Sequence, residues 1–407
     1  MPSLTIDRVI SLLLAAALVS LIARRLKLPY TVGLLLAGIV LALLHLGSGD
    51  FLTRDFIYKA ILPPLIFEAS LNTPWREFRQ NARPVVVLAT LGVLCASAIV
   101  ACGMHWIVGW GWSSSVLLGV LLSATDPVAV ISVFNDAGVS GRFRQIMEAE
   151  SLLNDGTAAT LFTASVAAFP IDAASHFSPL HTAAALAGNV AGGIGVGILV
   201  GLCAVLIARG TNDHLVETTI TAVAAYGSFL VADHFGASGI LATVTAGMLM
   251  GNILSLSHSK VEWLTPRGRE VVLAFWEFAA FVANSIVFLI IGARAEHILV
   301  QSIIVWPIIA AIALVLIGRA GAVYPIAALF RHTKHRLTPG EQHLLFWGGL
   351  RGALALSLAL SLPAWHAQTD QIVITTFGVV TFSLIVQGLT LPRLVKSLQR
   401  HIGKATI

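Results

Sequence analysis

Apolar runs of roughly 20 residues, the length an α-helix needs to cross a bilayer, follow one another along the chain with short polar stretches between them. Thirteen can be placed, at about 6–24, 29–47, 56–73, 84–108, 113–135, 145–170, 181–208, 214–233, 237–253, 271–293, 300–330, 341–362 and 371–396. Two carry an internal break: run 5 at Thr125-Asp126-Pro127 and run 12 at Gly348-Gly349-Leu350-Arg351-Gly352. With run 7 as a linker, runs 1–6 and 8–13 form two inverted repeats, and the breaks fall in corresponding members. Paired interruptions of this kind point to a site near the middle of the membrane in a secondary transporter. The predicted fold class is an all-α polytopic membrane protein of about 13 transmembrane helices in two inverted six-helix repeats. It forms a single transmembrane domain: repeat one about 6–170, linker helix about 181–208, repeat two about 214–396.

The basic residues test the placement, because cytoplasmic loops collect Lys and Arg. Alternate loops hold 19 of the 25: Arg24, Arg25 and Lys27; Arg76, Arg79 and Arg83; Arg142 and Arg144; Arg209; Lys260, Arg267 and Arg269; Arg331, Lys334 and Arg336; then Arg393, Lys396, Arg400 and Lys404. The opposite set holds Arg8, Arg54, Lys59 and Arg294, and the last two, Arg319 and Arg351, lie inside runs. The N-terminus is therefore predicted outside and the C-terminus in the cytoplasm, and an odd number of spans fits better than an even one.

Composition agrees. The chain is 57% hydrophobic and 11% charged, against about 25% charged in soluble domains, so a single soluble core is excluded. The net charge of +5 does not indicate nucleic acid, because the cations flank the runs instead of forming one stripe. Cys95, Cys102 and Cys203 all fall in apolar runs and show neither disulfide nor metal spacing. The first run is followed by Arg24-Arg25-Leu26-Lys27, a stop signal and not a cleavage site. The chain ends about eleven residues past the last run, so no soluble regulatory domain is expected. Run 7 carries Gly188, Gly192, Gly193, Gly197 and Gly201, which serve close packing within the subunit or a dimer contact. No phosphate-binding loop, nucleophile motif or metal-ligand spacing is present, and the His residues cluster near run ends. A resident cofactor and an enzymatic activity are not expected.

The chemistry concentrates at the break in run 5 and in the run after it. Pro127 has no N–H and pushes Asp126 away from helical angles. That leaves backbone carbonyls free near Thr125, and free carbonyls persist at membrane depth only where they line a cavity or are buried in protein. They are hard oxygen ligands suited to an alkali cation. Asp126 has two readings, as cap and dipole partner of a new half-helix or as a direct cation ligand. In run 6, Ser151 and Asp155 are four apart and share a helix face. A carboxylate at that depth costs roughly 2.5–3.5 kcal/mol on insertion scales, so it is kept for a partner or for a visiting cation. The hydroxyl, the carboxylate and the carbonyls of run 5 make an all-oxygen site, in which proton and cation compete for Asp155.

Asn154 cannot titrate and is read as a tie between the broken helices. Glu150 requires a buried cation beside it, and Arg351 and Arg319 are the two within runs; Arg351 is the favoured partner, and it can also complement a half-helix C-terminus. Glu68 follows the Pro63-Pro64 kink of run 3 and either reaches the cation site or makes a structural hydrogen bond. Glu277, Asn284 and Ser285 in run 10 are deep polar residues assigned to packing.

Together, Ser123-Ala124-Thr125-Asp126-Pro127-Val128-Ala129-Val130, Glu150-Ser151-Leu152-Leu153-Asn154-Asp155-Gly156 and Gly348-Gly349-Leu350-Arg351-Gly352-Ala353 resemble the monovalent cation:proton antiporter family, in its NhaP-like sodium/proton exchanger branch. Leu62-Pro63-Pro64-Leu65-Ile66-Phe67-Glu68, Phe275-Trp276-Glu277-Phe278, Asn284-Ser285 and Gly318-Arg319 follow the same pattern, so the resemblance spans nearly the whole chain. It implies crossing discontinuous helices in a core that moves against a dimerisation domain. It also implies an exchange carboxylate at Asp155, a cation site completed by Ser151, Glu68 and the backbone at Thr125, and a pair between Glu150 and Arg351. The Asn154-Asp155 pair marks the electroneutral branch.

The expected function is one-for-one exchange of Na+, with Li+ as a further substrate, for H+ by alternating access in a homodimer of the plasma membrane. The nearest alternative is potassium/proton exchange; a cation channel is a more distant one.

Overall fold

The computed structural model describes residues 6–26, 29–44, 56–126, 130–131, 134, 141–168, 179–255, 264–300, 305–362 and 368–402. Every regular element among these residues is helical. In chain order they are α1 (Ile6–Leu26), α2 (Tyr30–Leu43), α3 (Leu62–Leu71), α4 (Trp75–Val108), α5 (Trp112–Leu121), α6 (Arg142–Ala168), α7 (Pro179–Ala208), α8 (His214–His234), α9 (Gly239–Ser255), α10 (Pro266–Val300), α11 (Val305–Leu329), α12 (Pro339–Trp347), α13 (Ala353–Leu360), α14 (Thr369–Phe382) and α15 (Gly388–Ile402). Among the described residues, six helical stretches are long and apolar enough to cross a membrane, and α2, α5 and part of α1 and α9 are shorter apolar helices.

The runs predicted from sequence map onto these elements with instructive differences. α4 starts nine residues before the predicted 84, because Trp75–Arg83 continues the helix as an amphipathic turn bearing Arg76, Arg79 and Arg83. Run 3 enters α3 through a π-helical turn at Ile57–Ile61, which widens the backbone just before Pro63 and Pro64. Run 5 stops being helical after Leu121, and residues 122–126 are irregular. Pro127 lies outside the described residues, as do most of residues 128–140, and so does the cap that Asp126 was expected to form on its own half-helix. Run 12 divides into α12 and α13 around the predicted glycine-rich break.

Packing sorts the helices into two groups. α1, α2 and α3 pack with α8, α9 and α10, and α7 lies against α8 and α9. α4, α5 and α6 pack with α11, α12, α13, α14 and α15. Within the first group, α2 and α10 approach at Gly38 and Gly292: a Cβ on either would stand 2.8 Å from the Cα of the other. The glycines of α7 divide by face. A Cβ at Gly193 would lie 2.7 Å from the Ser238 carbonyl oxygen, and one at Gly197 2.7 Å from the Thr245 Cβ, so these two serve packing against α9. The opposite face leaves Leu199, Leu206 and Ile207 each 64% exposed on this chain.

Gly38→Val should wedge α2 from α10, an overpacking penalty of about 1–3 kcal/mol, and lower the melting temperature of the detergent-solubilised protein. Gly195→Ala on α7, where an added Cβ meets nothing within 4 Å, should leave it unchanged. Equal behaviour of the two variants would contradict the close approach.

Candidate functional site

Two helix breaks in the middle of a membrane expose backbone groups that no water satisfies, and each break is completed here by the other. The Asp126 N–H donates to the Leu350 carbonyl at 2.7 Å, which ties the two irregular segments together. The Arg351 guanidinium, 1% exposed, donates through Nη1 to the carbonyls of Ser123 at 3.3 Å and Ala124 at 3.2 Å. It therefore caps the C-terminal end of α5, the negative pole of that half-helix. In the reverse direction the Asp126 carboxylate lies against Gly352, immediately before α13, whose N-terminus is a positive pole. A Cβ at position 352 would stand 2.5 Å from the Asp126 Cγ, so glycine is required for this approach.

The remaining loose groups of the second break are met from α14 and α15. A π-helical turn at Ser383–Gln387 joins these helices and turns two polar side chains inward. The Ser383 hydroxyl accepts from the Arg351 N–H at 3.0 Å and donates to Gln387 Oε1 at 2.7 Å, and Gln387 Nε2 donates to the Trp347 carbonyl at 3.1 Å. Sequence reasoning missed both residues. The signal was a serine and a glutamine four apart inside an apolar run, which places them on one helix face.

α6 runs beside the crossing and contributes four polar side chains. The Ser151 hydroxyl donates to the Thr125 carbonyl at 2.7 Å and lies 3.0 Å from the Thr125 hydroxyl. Asn154 Nδ2 reaches Thr125 Oγ1 at 3.2 Å and Glu150 Oε1 at 3.3 Å, so it ties α6 to the first break. Glu150 is held by a two-pronged pair with Arg319: Nη1 to Oε1 at 2.7 Å and Nη2 to Oε2 at 3.1 Å. Arg319 also donates through Nε to the Leu345 carbonyl at 3.2 Å, near the end of α12. This corrects the expected pairing of Glu150 with Arg351. Arg351 is consumed by the carbonyls of the first break, while Arg319 enters from α11 with its planar fork matched to the carboxylate.

Asp155 makes no ion pair among the described residues. Its Oδ1 is buried without a hydrogen-bond partner among the described residues. It faces a cavity of about 40 Å³ lined by Thr125, Asp126, Asn284, Gly352 and the apolar side chains of Leu62, Ile66 and Leu152. A space of that size admits water-sized occupants. Next to it lies a larger vestibule of about 460 Å³, lined by Tyr30, Glu68, Arg144, Glu148, Glu277 and Asn284 among others. The Arg144–Glu148 ion pair, 2.6 Å, lies in its wall.

The structure thus brings Thr125, Ser151, Asn154, Asp126 and Asp155 to one crossing. It places Glu68 in the vestibule, where Glu68 Oε1 accepts from Asn72 Nδ2 at 2.9 Å. Glu68 and Asp155 line adjoining cavities that share Ala69, Leu152 and Asn284. The arrangement offers one uncompensated carboxylate amid oxygen ligands, reached from one side through an acidic antechamber.

Glu150→Ala or Arg319→Ala should each destabilise the protein by about 3–5 kcal/mol, because each strands a buried charge. The double variant Glu150→Leu with Arg319→Met should recover most of the loss. A thermal-melt double-mutant cycle in detergent checks this, and additive losses would show that the two groups do not act as a pair.

The profile of the family described as "Sodium/hydrogen exchanger, transmembrane" matches residues 10–397. The low-affinity Na+/H+ antiporter NhaS1 of Synechocystis sp. is 35% identical over 383 residues, covering 91% of this chain and 70% of that one. The Na+/H+ antiporter NhaH of Halobacillus dabanensis is 33% identical over 400 residues, covering 95% and 96% of the two chains. Among solved structures, the sodium proton antiporter MjNhaP1 of Methanocaldococcus jannaschii superposes with a TM-score of 0.78 at 21% identity, over 95% of this chain and 97% of that one. The NhaP-like helical fold expected from the sequence is therefore the fold of this protein, and the chain belongs to the sodium/hydrogen exchanger family.

Proposed function

We propose that this protein exchanges one Na+, or one Li+, for one H+ across the membrane, with Asp155 carrying either the cation or the proton. The observation that carries this reading is the charge balance at the crossing. In their ordinary ionised states Asp126, Glu150 and Asp155 face two cations, Arg319 and Arg351. Arg319 is spent on Glu150, and Arg351 and Asp126 complement opposite half-helix poles at the same crossing. One negative charge is left over, and we assign it to Asp155, which has neither an arginine fork nor a helix pole of its own. One monovalent cation or one proton neutralises it, and neither leaves room for the other.

Asp155 and Thr125 face the chamber, while Ser151 holds the Thr125 carbonyl in position and joins the ligand set by turning its hydroxyl. Glu68 serves as the ligand on the vestibule side. A loaded or protonated site moves as a neutral unit. The bare carboxylate does not, because a charge without a partner is too costly to carry through a water-free barrier. The cycle therefore moves no net charge.

The vestibule is walled by Arg144 and Glu148 at the start of α6, on the side where the basic loops collect. With those loops in the cytoplasm, this conformation is open inward. We assign the N-terminus outside, the C-terminus inside, and residence in the plasma membrane on the same charge bias. The repeat bounds of about 6–170 and 214–396 around α7 follow the placement of the two breaks, and a homodimer is what the family resemblance implies.

Reconstituted into liposomes, the wild type should move protons in response to Na+ and Li+, and Asp155→Asn should be silent while melting like the wild type. Proton movement with K+ alone would keep the mechanism and overturn the choice of cation. No movement with any of the three would overturn the antiport reading. Clamping the membrane potential with valinomycin and K+ should leave the Na+-driven rate unchanged within about twofold; a current carried by exchange would contradict the one-for-one stoichiometry.

A further inference from the structure

Asn284 stands where the two cavities meet. It lies on α10, in the helix group opposite α6, and lines both the chamber of Asp155 and the vestibule. Ala69 and Leu152 also line both, but Asn284 is the one of the three with polar side-chain atoms. It is 5% exposed, and its amide makes no hydrogen bond among the described residues. Its amide opens on the two cavities, where water or a passing cation can reach it. Glu277 lies seven residues earlier on the same helix face and lines the vestibule, about 10 Å, or two turns, away along the axis.

We propose that the Asn284 side-chain oxygen is a cation ligand, which takes a partly dehydrated monovalent cation from the vestibule and stays in contact with it while Asp155 holds it in this conformation. This rests on the antiport reading. A neutral carbonyl oxygen is a hard ligand suited to such an ion. It replaces one hydration water without adding a charge, and a charge midway would hold the cation there. Passage requires binding that is favourable enough to enter and weak enough to leave. Asn284 belongs to the group that does not carry Asp155, so it contacts the ion on this side of the cycle and drops away when the core moves.

The test uses Asn284→Leu, which keeps the volume and removes the polar atoms, and Asn284→Ser, which restores an oxygen on a shorter stem. Rates are read in proteoliposomes, and Na+ affinity by calorimetry on the detergent-solubilised protein. The leucine variant should raise both the KM and the Kd for Na+ about tenfold, equivalent to about 1.4 kcal/mol, with the maximal rate within about twofold and the melting temperature not lowered. The serine variant should fall between it and the wild type. Unchanged KM and Kd in the leucine variant would overturn the proposal, as would a loss of rate and melting temperature at constant Kd, which marks a packing role. If the leucine variant does not fold, the Kd of the serine variant decides in the same way. A wild type that binds Na+ but exchanges nothing would end the antiport reading alone, and the Kd comparison would still decide the role of Asn284. A wild type that binds no Na+ would end both.

Discussion

A polypeptide that abandons helical geometry inside a bilayer has to find, within itself, a partner for every backbone group it releases. The two breaks of this fold satisfy that constraint on each other. Leu350 accepts from the N–H of Asp126, Arg351 takes up the carbonyls of Ser123 and Ala124 just past α5, and Ser383 and Gln387 complete the second break from behind. The reciprocal charges matter as much as the hydrogen bonds. An arginine at a C-terminal pole and an aspartate at an N-terminal pole stabilise both half-helices, and each is supplied by the chain that crosses, not by the helix it caps. The crossing is therefore one unit: neither break is complete alone.

That unit is what allows the proposed cation site to lie so deep. Ordinarily every charge in such a place is paired, and Glu150 obeys the rule through its fork with Arg319. Asp155 makes no such pair, and the groups around it bond one another instead. Ser151 and Asn154 converge on Thr125, Asp126 on the second break, and none of these interactions is spent on the Asp155 Oδ1. The site is held open because these neighbours bond one another and not the Asp155 Oδ1. Substitutions that free one of those neighbours would hand Asp155 a permanent partner, and a permanent partner is what an exchange carboxylate has to lack.

Much of this was legible in the sequence for local reasons. Pro127 and the Gly348–Gly352 stretch announce the breaks because missing N–H groups and missing side chains act on their own backbone. The helix count follows from apolar length and loop charge, which are also local. The partner of Glu150 was not legible, because Arg319 and Arg351 are both buried arginines inside apolar runs, and nothing short of the helix packing tells which one arrives. Ser383 and Gln387 were legible in principle by their four-residue spacing, but their purpose depends on a π-helical turn that no residue there announces. Glu68 was placed near the site by its position after a kink; its bond to Asn72, four residues on, is local, but that it faces the larger cavity depends on how α3 leans against α6.

The division of polar residues between the two helix groups carries the last step. Asp155, Thr125, Ser151 and both arginines belong to the group that contains the breaks, and Tyr30, Glu68, Glu277 and Asn284 to the other. The chamber and the vestibule have walls from both groups. A displacement of one group against the other therefore changes which oxygens face Asp155 without disturbing a single bond of the crossing. Rigid-body motion around a fixed site is the economical way to alternate access in such folds, and here the rigid body is defined by the hydrogen bonds that satisfy the broken helices. The feature that makes the breaks permissible in a membrane is the same one that would keep the core in one piece in the proposed exchange cycle.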